Sequence, residues 1–109
     1  MDSIVIQYEG TTTFSVTTTH SEIYDVSISS AFSLTSNVTE SSPVTGGTFA
    51  VTWSNDQETW VTGTSQAITE TAVFGVQVTD IAYKYVKITW TISTGELDVV
   101  NYYTAKTYE

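Results

Sequence analysis

The sequence predicts an all-β fold, an antiparallel β-sandwich or small barrel of about seven to eight strands, and three observations carry that prediction. Thr and Ser together supply about a third of the residues, Val, Ile, Tyr, Phe and Trp supply most of the apolar content, and Leu and Ala are scarce, a strand-forming composition. Apolar and polar residues alternate with a period of two over several segments, and no segment holds a 3.6-residue period long enough for a helix. Turn-forming residues separate those segments at intervals of roughly ten residues, the spacing of a sandwich. At 109 residues the chain reads as a single domain, residues 1–109, large enough for one core and too small for two.

The elements follow in order. Residues 3–9 alternate, with Ile4, Ile6 and Tyr8 on one face, and Gly10 ends this first strand. Residues 12–20 set Phe14 and Val16 among threonines, a polar segment suited to a sheet edge, where polar side chains discourage strand addition. Residues 23–35 form the longest alternating run: Val26, Ile28, Phe32 and Leu34 share a face that Ser30 interrupts, while Ser27, Ser29, Ala31, Ser33 and Thr35 share the other. This run is one long strand or two joined by a bend near Ser29 and Ser30. Residues 37–47, NVTESSPVTGG, hold the single proline and the Gly-Gly pair with almost no periodicity, and read as a surface loop.

Residues 48–60 read as a hairpin. Phe49, Val51 and Trp53 point one way and Thr48, Ala50, Thr52 and Ser54 the other; residues 54–58 turn the chain and Trp60 starts the return. Residues 63–67 are a connection, and residues 72–79 a strand with Phe74, Val76 and Val78 inward. Residues 80–82 turn into a strand over 83–93, with Val86, Ile88, Trp90 and Ile92 in the core and Tyr85, Lys87, Thr89 and Thr91 outside. Residues 94–96 make the next turn, and 97–106 the last strand. Trp53 and Trp90 are both expected in the core.

Twelve acidic residues against three lysines and no arginine give a net charge of −9. That surface repels phosphates and offers no Lys/Arg stripe, so nucleic acid is disfavoured as a partner, and an anionic membrane by the same reasoning. No apolar run approaches the length of a transmembrane helix. The start, Met-Asp-Ser-Ile-Val-Ile, has neither the basic stretch nor the apolar segment of a secretory signal, so synthesis in a cytoplasm is expected. The absence of Cys and the wealth of Thr and Ser suit a protein that ends up outside cells.

Little in the chain points to catalysis. The single histidine, His20, lies beside Ser21 and Glu22 with no nucleophile elbow near any serine, and reads as a solvated loop residue. With no Cys and one His, the usual nitrogen and sulfur metal sets are excluded; a calcium site of carboxylates and loop carbonyls would draw on Asn55, Asp56 and Glu58, and turn chemistry explains Asn55 and Asp56 without an ion. Asp56, Glu58, Asp80, Glu96 and Asp98 would have to converge to hydrolyse a glycoside, and read as turn and rim charges instead. No cofactor is expected and no enzymatic activity. Trp60, Tyr83, Tyr85, Tyr102, Tyr103 and Tyr108 include rings that must lie outside or at sheet ends. Exposed rings stack on sugars or fill a protein interface, so a glycan is one ligand they suit.

A strand ending in Trp-Ser-Asn-Asp (Trp53 to Asp56), then Thr59-Trp60, then the aromatic-Lys-Tyr-Val-Lys strand from Tyr83 to Lys87, resembles the small β-sandwich virion proteins of tailed bacteriophages. The resemblance extends over residues 22–106, through Tyr24-Asp25-Val26, the Gly47-Thr48-Phe49 entry and the Gly95-x-Leu97 turn. Its hairpin is also similar, over about half the chain, to discoidin-type sandwiches. One departure is Gln57, where related turns carry Gly. The phage resemblance implies a non-enzymatic structural component of the virion, made in a bacterial host. It would be a capsid decoration or other accessory subunit that binds itself and a capsid or tail protein, with Tyr85, Tyr102, Tyr103 and Tyr108 as interface candidates. The alternative is a carbohydrate-binding module or adhesin.

Overall fold

The computed structural model describes residues 4–27, 29–68, 70–78, 81 and 83–108; of residues 4–8, 107 and 108 it describes the backbone alone. Eight strands run in chain order: β1 (Ile4–Val16), β2 (Thr19–Asp25), β3 (Ala31–Thr45), β4 (Gly47–Ser54), β5 (Val61–Ile68), β6 (Ala72–Val78), β7 (Tyr85–Thr91) and β8 (Thr94–Tyr108). They form two four-stranded antiparallel sheets, β1-β8-β3-β6 and β2-β7-β4-β5, packed as a β-sandwich. At a rise of about 3.3 Å per residue, the 15 residues of β3 or β8 span the whole 49 Å long axis, so these two strands set the length of the molecule.

The inward rows make the core. Phe32, Leu34 and Val38 of β3, Leu97, Val99 and Ala105 of β8, Phe49 and Val51 of β4, and Val86, Ile88 and Trp90 of β7 are all buried. Trp90 lies at the centre, wholly buried, edge-on to Phe14 at 4.8 Å and to Phe49 at 5.7 Å between centroids. Its indole N–H donates to Ser36 Oγ at 3.3 Å. Ser36 is paired directly with Asn101 on β8, and both are fully buried, so a small polar island sits within the apolar layer. The side-chain amide of Asn101 has no hydrogen-bond partner among the described residues.

The chain passes between sheets at three adjacent points near one end. The β7–β8 crossing hydrogen-bonds to the other two: Ile92 N–H donates to Thr18 O at 2.8 Å and Ser93 N–H to Thr45 O at 2.9 Å. Gly46 turns β3 into β4 with φ of 64° and packs against Ser93, which leaves no room for a side chain there. The 23–35 run is two strands: β2 and β3 belong to different sheets, and the chain is fastened on either side of the crossing by Val26 N–H to Lys84 O and Ser30 N–H to Lys106 O. The bend near Ser29 and Ser30 is therefore a sheet-to-sheet crossing; Ile28 lies outside the described residues.

Four expectations are corrected. Gly10 does not end the first strand: β1 continues to Val16 because the Tyr103 ring lies over Gly10, where a Cβ would collide with it. Residues 37–45 are not a loop but the second half of β3, with Val38 and Val44 buried; two register shifts opposite residues 96 and 94 of β8 absorb Pro43 and erase the alternation. Residues 63–67 are not a connection but lie within β5, an edge strand exposed on both faces up to Ile68, which is why no period shows. Trp53, on the same face as Phe49 and Val51, is only partly buried because β4 ends there, at the rim of the sandwich.

Candidate functional site

The hairpin turn after β4 is held by a network of side-chain to backbone hydrogen bonds. Ser54 Oγ accepts the backbone N–H groups of Asp56 and Gln57 at 3.2 and 2.9 Å, and donates to Asp56 Oδ1 at 2.9 Å. That same carboxylate oxygen accepts the N–H groups of Glu58 and Thr59 at 2.9 and 2.8 Å. These donors, Thr59 first and then Glu58 and Ser54, hold the Asp56 carboxyl below the ordinary aspartate range. Asn55 Oδ1 accepts the N–H of Lys84 at 3.2 Å and ties the turn to the approach to β7. Gln57 adopts φ of 63°, the conformation for which glycine is suited. Asn55 Oδ1 and Asp56 Oδ1 are thus committed to backbone amides, and among the described residues no three His, Asp or Glu side chains lie close enough to share an ion.

The carboxylates do not converge. Asp56 and Glu58 cap the far end of β4, whereas Glu96 and Asp98 lie at the start of β8 by the crossings, where Ser41 donates to Glu96 and Ser15 Oγ to Asp98 at 2.9 Å. Asp80 lies outside the described residues. His20 is not a loop residue: it lies in β2, half-buried, stacked on Phe14 at 4.0 Å with its Nε2 3.0 Å from Glu22 Oε1. The alternation of β2 brings it beside β1, a contact that a reading of sequence neighbours alone misses.

The aromatic residues fall into separate groups. Tyr102 stands half exposed on the outer face of the β1-β8-β3-β6 sheet, in a shallow depression of about 530 Å³ rimmed by Glu9, Thr11, Ser33, Thr35 and Thr104. Tyr103 points the other way, into the sandwich, against Tyr24 at 4.9 Å. Tyr85, partly buried, belongs to the opposite sheet, and the side chain of Tyr108 lies outside the described residues. The four tyrosines named from the sequence therefore do not form one patch. Near Tyr85, Trp60 lies under the Lys87 ammonium at 4.2 Å and Trp53 stacks on Tyr83 at 6.1 Å.

A groove of about 270 Å³ opens between the sheets along β5 and β6, floored by Val51, Trp53, Val76 and Val78. No charged residue occurs in β4, β5 or β6. Acidic side chains border the opposite side instead, with Glu9 on β1 and Glu22 and Asp25 on β2.

The fold recurs in proteins of phage origin. A prophage-derived protein, YomS of SPBc2, is similar at a TM-score of 0.59 with 16% identity, over 92% of this chain and 97% of that one. The enzymatically active domain of tailspike protein 4 of bacteriophage CBA120 contains a similar region at a TM-score of 0.55 and 13% identity, over 94% of this chain and 19% of that one. At such identities the likeness establishes the fold alone. No protein-family model and no curated sequence matches the chain.

Proposed function

We propose that this protein is a non-enzymatic structural subunit of a tailed-phage particle, an accessory or capsid-decoration protein that associates with itself and with a capsid or tail protein. The observation that supports the reading is that this fold is shared, over nearly the full length of both chains, with a prophage-derived protein. The surface agrees with it: a net charge of −9 is unsuited to nucleic acid, and the acidic side chains of β1, β2, β3, the turn after β4 and the start of β8 are scattered without converging on one cleft. Binding in such a subunit comes from apolar burial and strand-edge pairing, repeated at many copies so that modest contacts add up. The test is incubation of the purified protein with purified tailed-phage particles and, separately, with a glycan array. Co-sedimentation with particles at saturable stoichiometry supports the proposal. Failure to bind particles, with capture of a defined sugar, overturns it in favour of an adhesin.

A further inference from the structure

Of the four strands that end a sheet, three carry a device that discourages pairing with another chain. β1 has a register break between Ile6 and Tyr8 and carries Glu9; β2 carries Glu22 and Asp25; β5 is bulged against β4 between Ala50 and Thr52. β6 has none. Its sequence, AVFGVQV, pairs with β3 without a break over all 7 residues and holds neither charge nor proline. Val73 on it is 67% exposed, the largest exposure among the large apolar side chains described. A straight, uncharged, apolar edge is a template for strand addition, and a soluble protein keeps one where a partner strand covers it.

Gly75, at the middle of β6, gives an independent sign. At each of the other five described glycines a Cβ would come within 3.0 Å of a neighbouring atom, so the chain's own packing demands glycine there. At Gly75 the nearest atom to a Cβ is Leu34 O at 3.8 Å, an ordinary contact, and its φ is not positive. Glycine weakens a strand interior relative to alanine, and nothing among the described neighbours requires it here, so the position is left open to an approach from outside the chain.

We infer that β6 is the self-association edge: two copies pair β6 to β6, antiparallel, about a two-fold axis at Gly75. The strand is complementary to itself in that register. Phe74 of one copy faces Val76 of the other and Ala72 faces Val78 on the inner side, extending both apolar layers, while Val73 faces Gln77 on the outer side. The two sheets become one of eight strands, and the groove along β5 and β6 is closed by the neighbour. The occupant is a second copy because the edge is self-matching and uncharged. Pairing through β1 or β2 would bring carboxylates of two acidic chains together within the paired strands, whereas residues 72–78 carry none. This assignment rests on the self-association in the proposed function.

The experiment is sedimentation velocity over a range of concentrations on the wild type and on Gly75→Glu and Gly75→Lys, with thermal unfolding to confirm that each is folded. The space at Gly75 admits either side chain in the monomer. The inference expects a wild-type dimer, at least a tenfold weaker dimer for each variant alone, and recovery when G75E and G75K are mixed, because only a two-fold at that residue sets the opposite charges face to face. Wild-type-like dimers of G75E overturn the edge assignment while leaving self-association intact. Loss of the dimer without recovery on mixing overturns the register, and a wild type that stays monomeric overturns both this inference and the self-association it rests on.

Discussion

Replacement of Trp90 by alanine removes the largest fully buried side chain described. The cavity opens between Phe14 and Phe49, whose rings lie 4.8 and 5.7 Å from the indole on different strands that are each held in their own ladders. Neither sheet can close onto the gap without breaking register, so W90A is expected to cost about 3–5 kcal/mol, the range for a buried aromatic. The loss of the hydrogen bond to Ser36 adds about 1 kcal/mol, because Ser36 Oγ stays buried beside Asn101 without that donor. Against a total of about 5–15 kcal/mol for a domain, this removes a large part of the stability. Urea unfolding at equilibrium reads it as a lowered midpoint with an unchanged slope, and a thermal scan as a drop of roughly 15–25 °C. Trp53→Ala, at the partly buried rim, should cost only about 1–2 kcal/mol. A W90A loss below 1 kcal/mol, or one equal to that of W53A, would refute the placement of Trp90 at the centre of the sandwich.

Asn101→Leu replaces a buried amide that has no hydrogen-bond partner among the described residues by an apolar side chain of similar size, and should raise stability by about 1–2 kcal/mol in urea unfolding. Gln57→Gly should stabilise by about 0.5–1 kcal/mol, since φ of 63° is free for glycine and strained for glutamine. The depressed pKa of Asp56, and that of Asp25, lowered by its hydrogen bonds from Ser27, contribute stability above the ordinary aspartate pKa. This contribution is lost as pH falls through the lowered folded values, and D56N should flatten that acid limb of the unfolding profile. Self-association should strengthen, or at least not weaken, as ionic strength rises, because salt screens the repulsion between chains of net charge −9; sedimentation in a salt series reads it.

Strands with one buried face were legible in the sequence. Val86, Ile88, Trp90 and Ile92 alternate with polar neighbours and are all buried, and Phe49 and Val51 obey the same rule. Legibility failed where the period carries no burial signal. β5 is exposed on both faces, so Gly63 to Ala67 look like a linker, and the second half of β3 interrupts its pattern with two register shifts and a proline. The turn at Ser54 to Thr59 was readable from Asn55 and Asp56, but the positive φ of Gln57 was not, because glutamine carries no local signal for that conformation. Which aromatic residues share a surface was not, since Tyr102 and Tyr85 lie on different sheets and Tyr103 points inward. The significance of Gly75 was equally hidden: a glycine without an internal reason is visible only once the neighbours of every glycine are known.

Whether this chain is a repeated structural subunit of a phage particle is read by quantitative mass spectrometry of gradient-banded particles from a host expressing the gene. The chain should band with intact particles in a fixed, multi-copy ratio to the major capsid protein or to a tail protein. Its absence from banded particles, with all of the chain left in the soluble fraction, would rule the proposed role out.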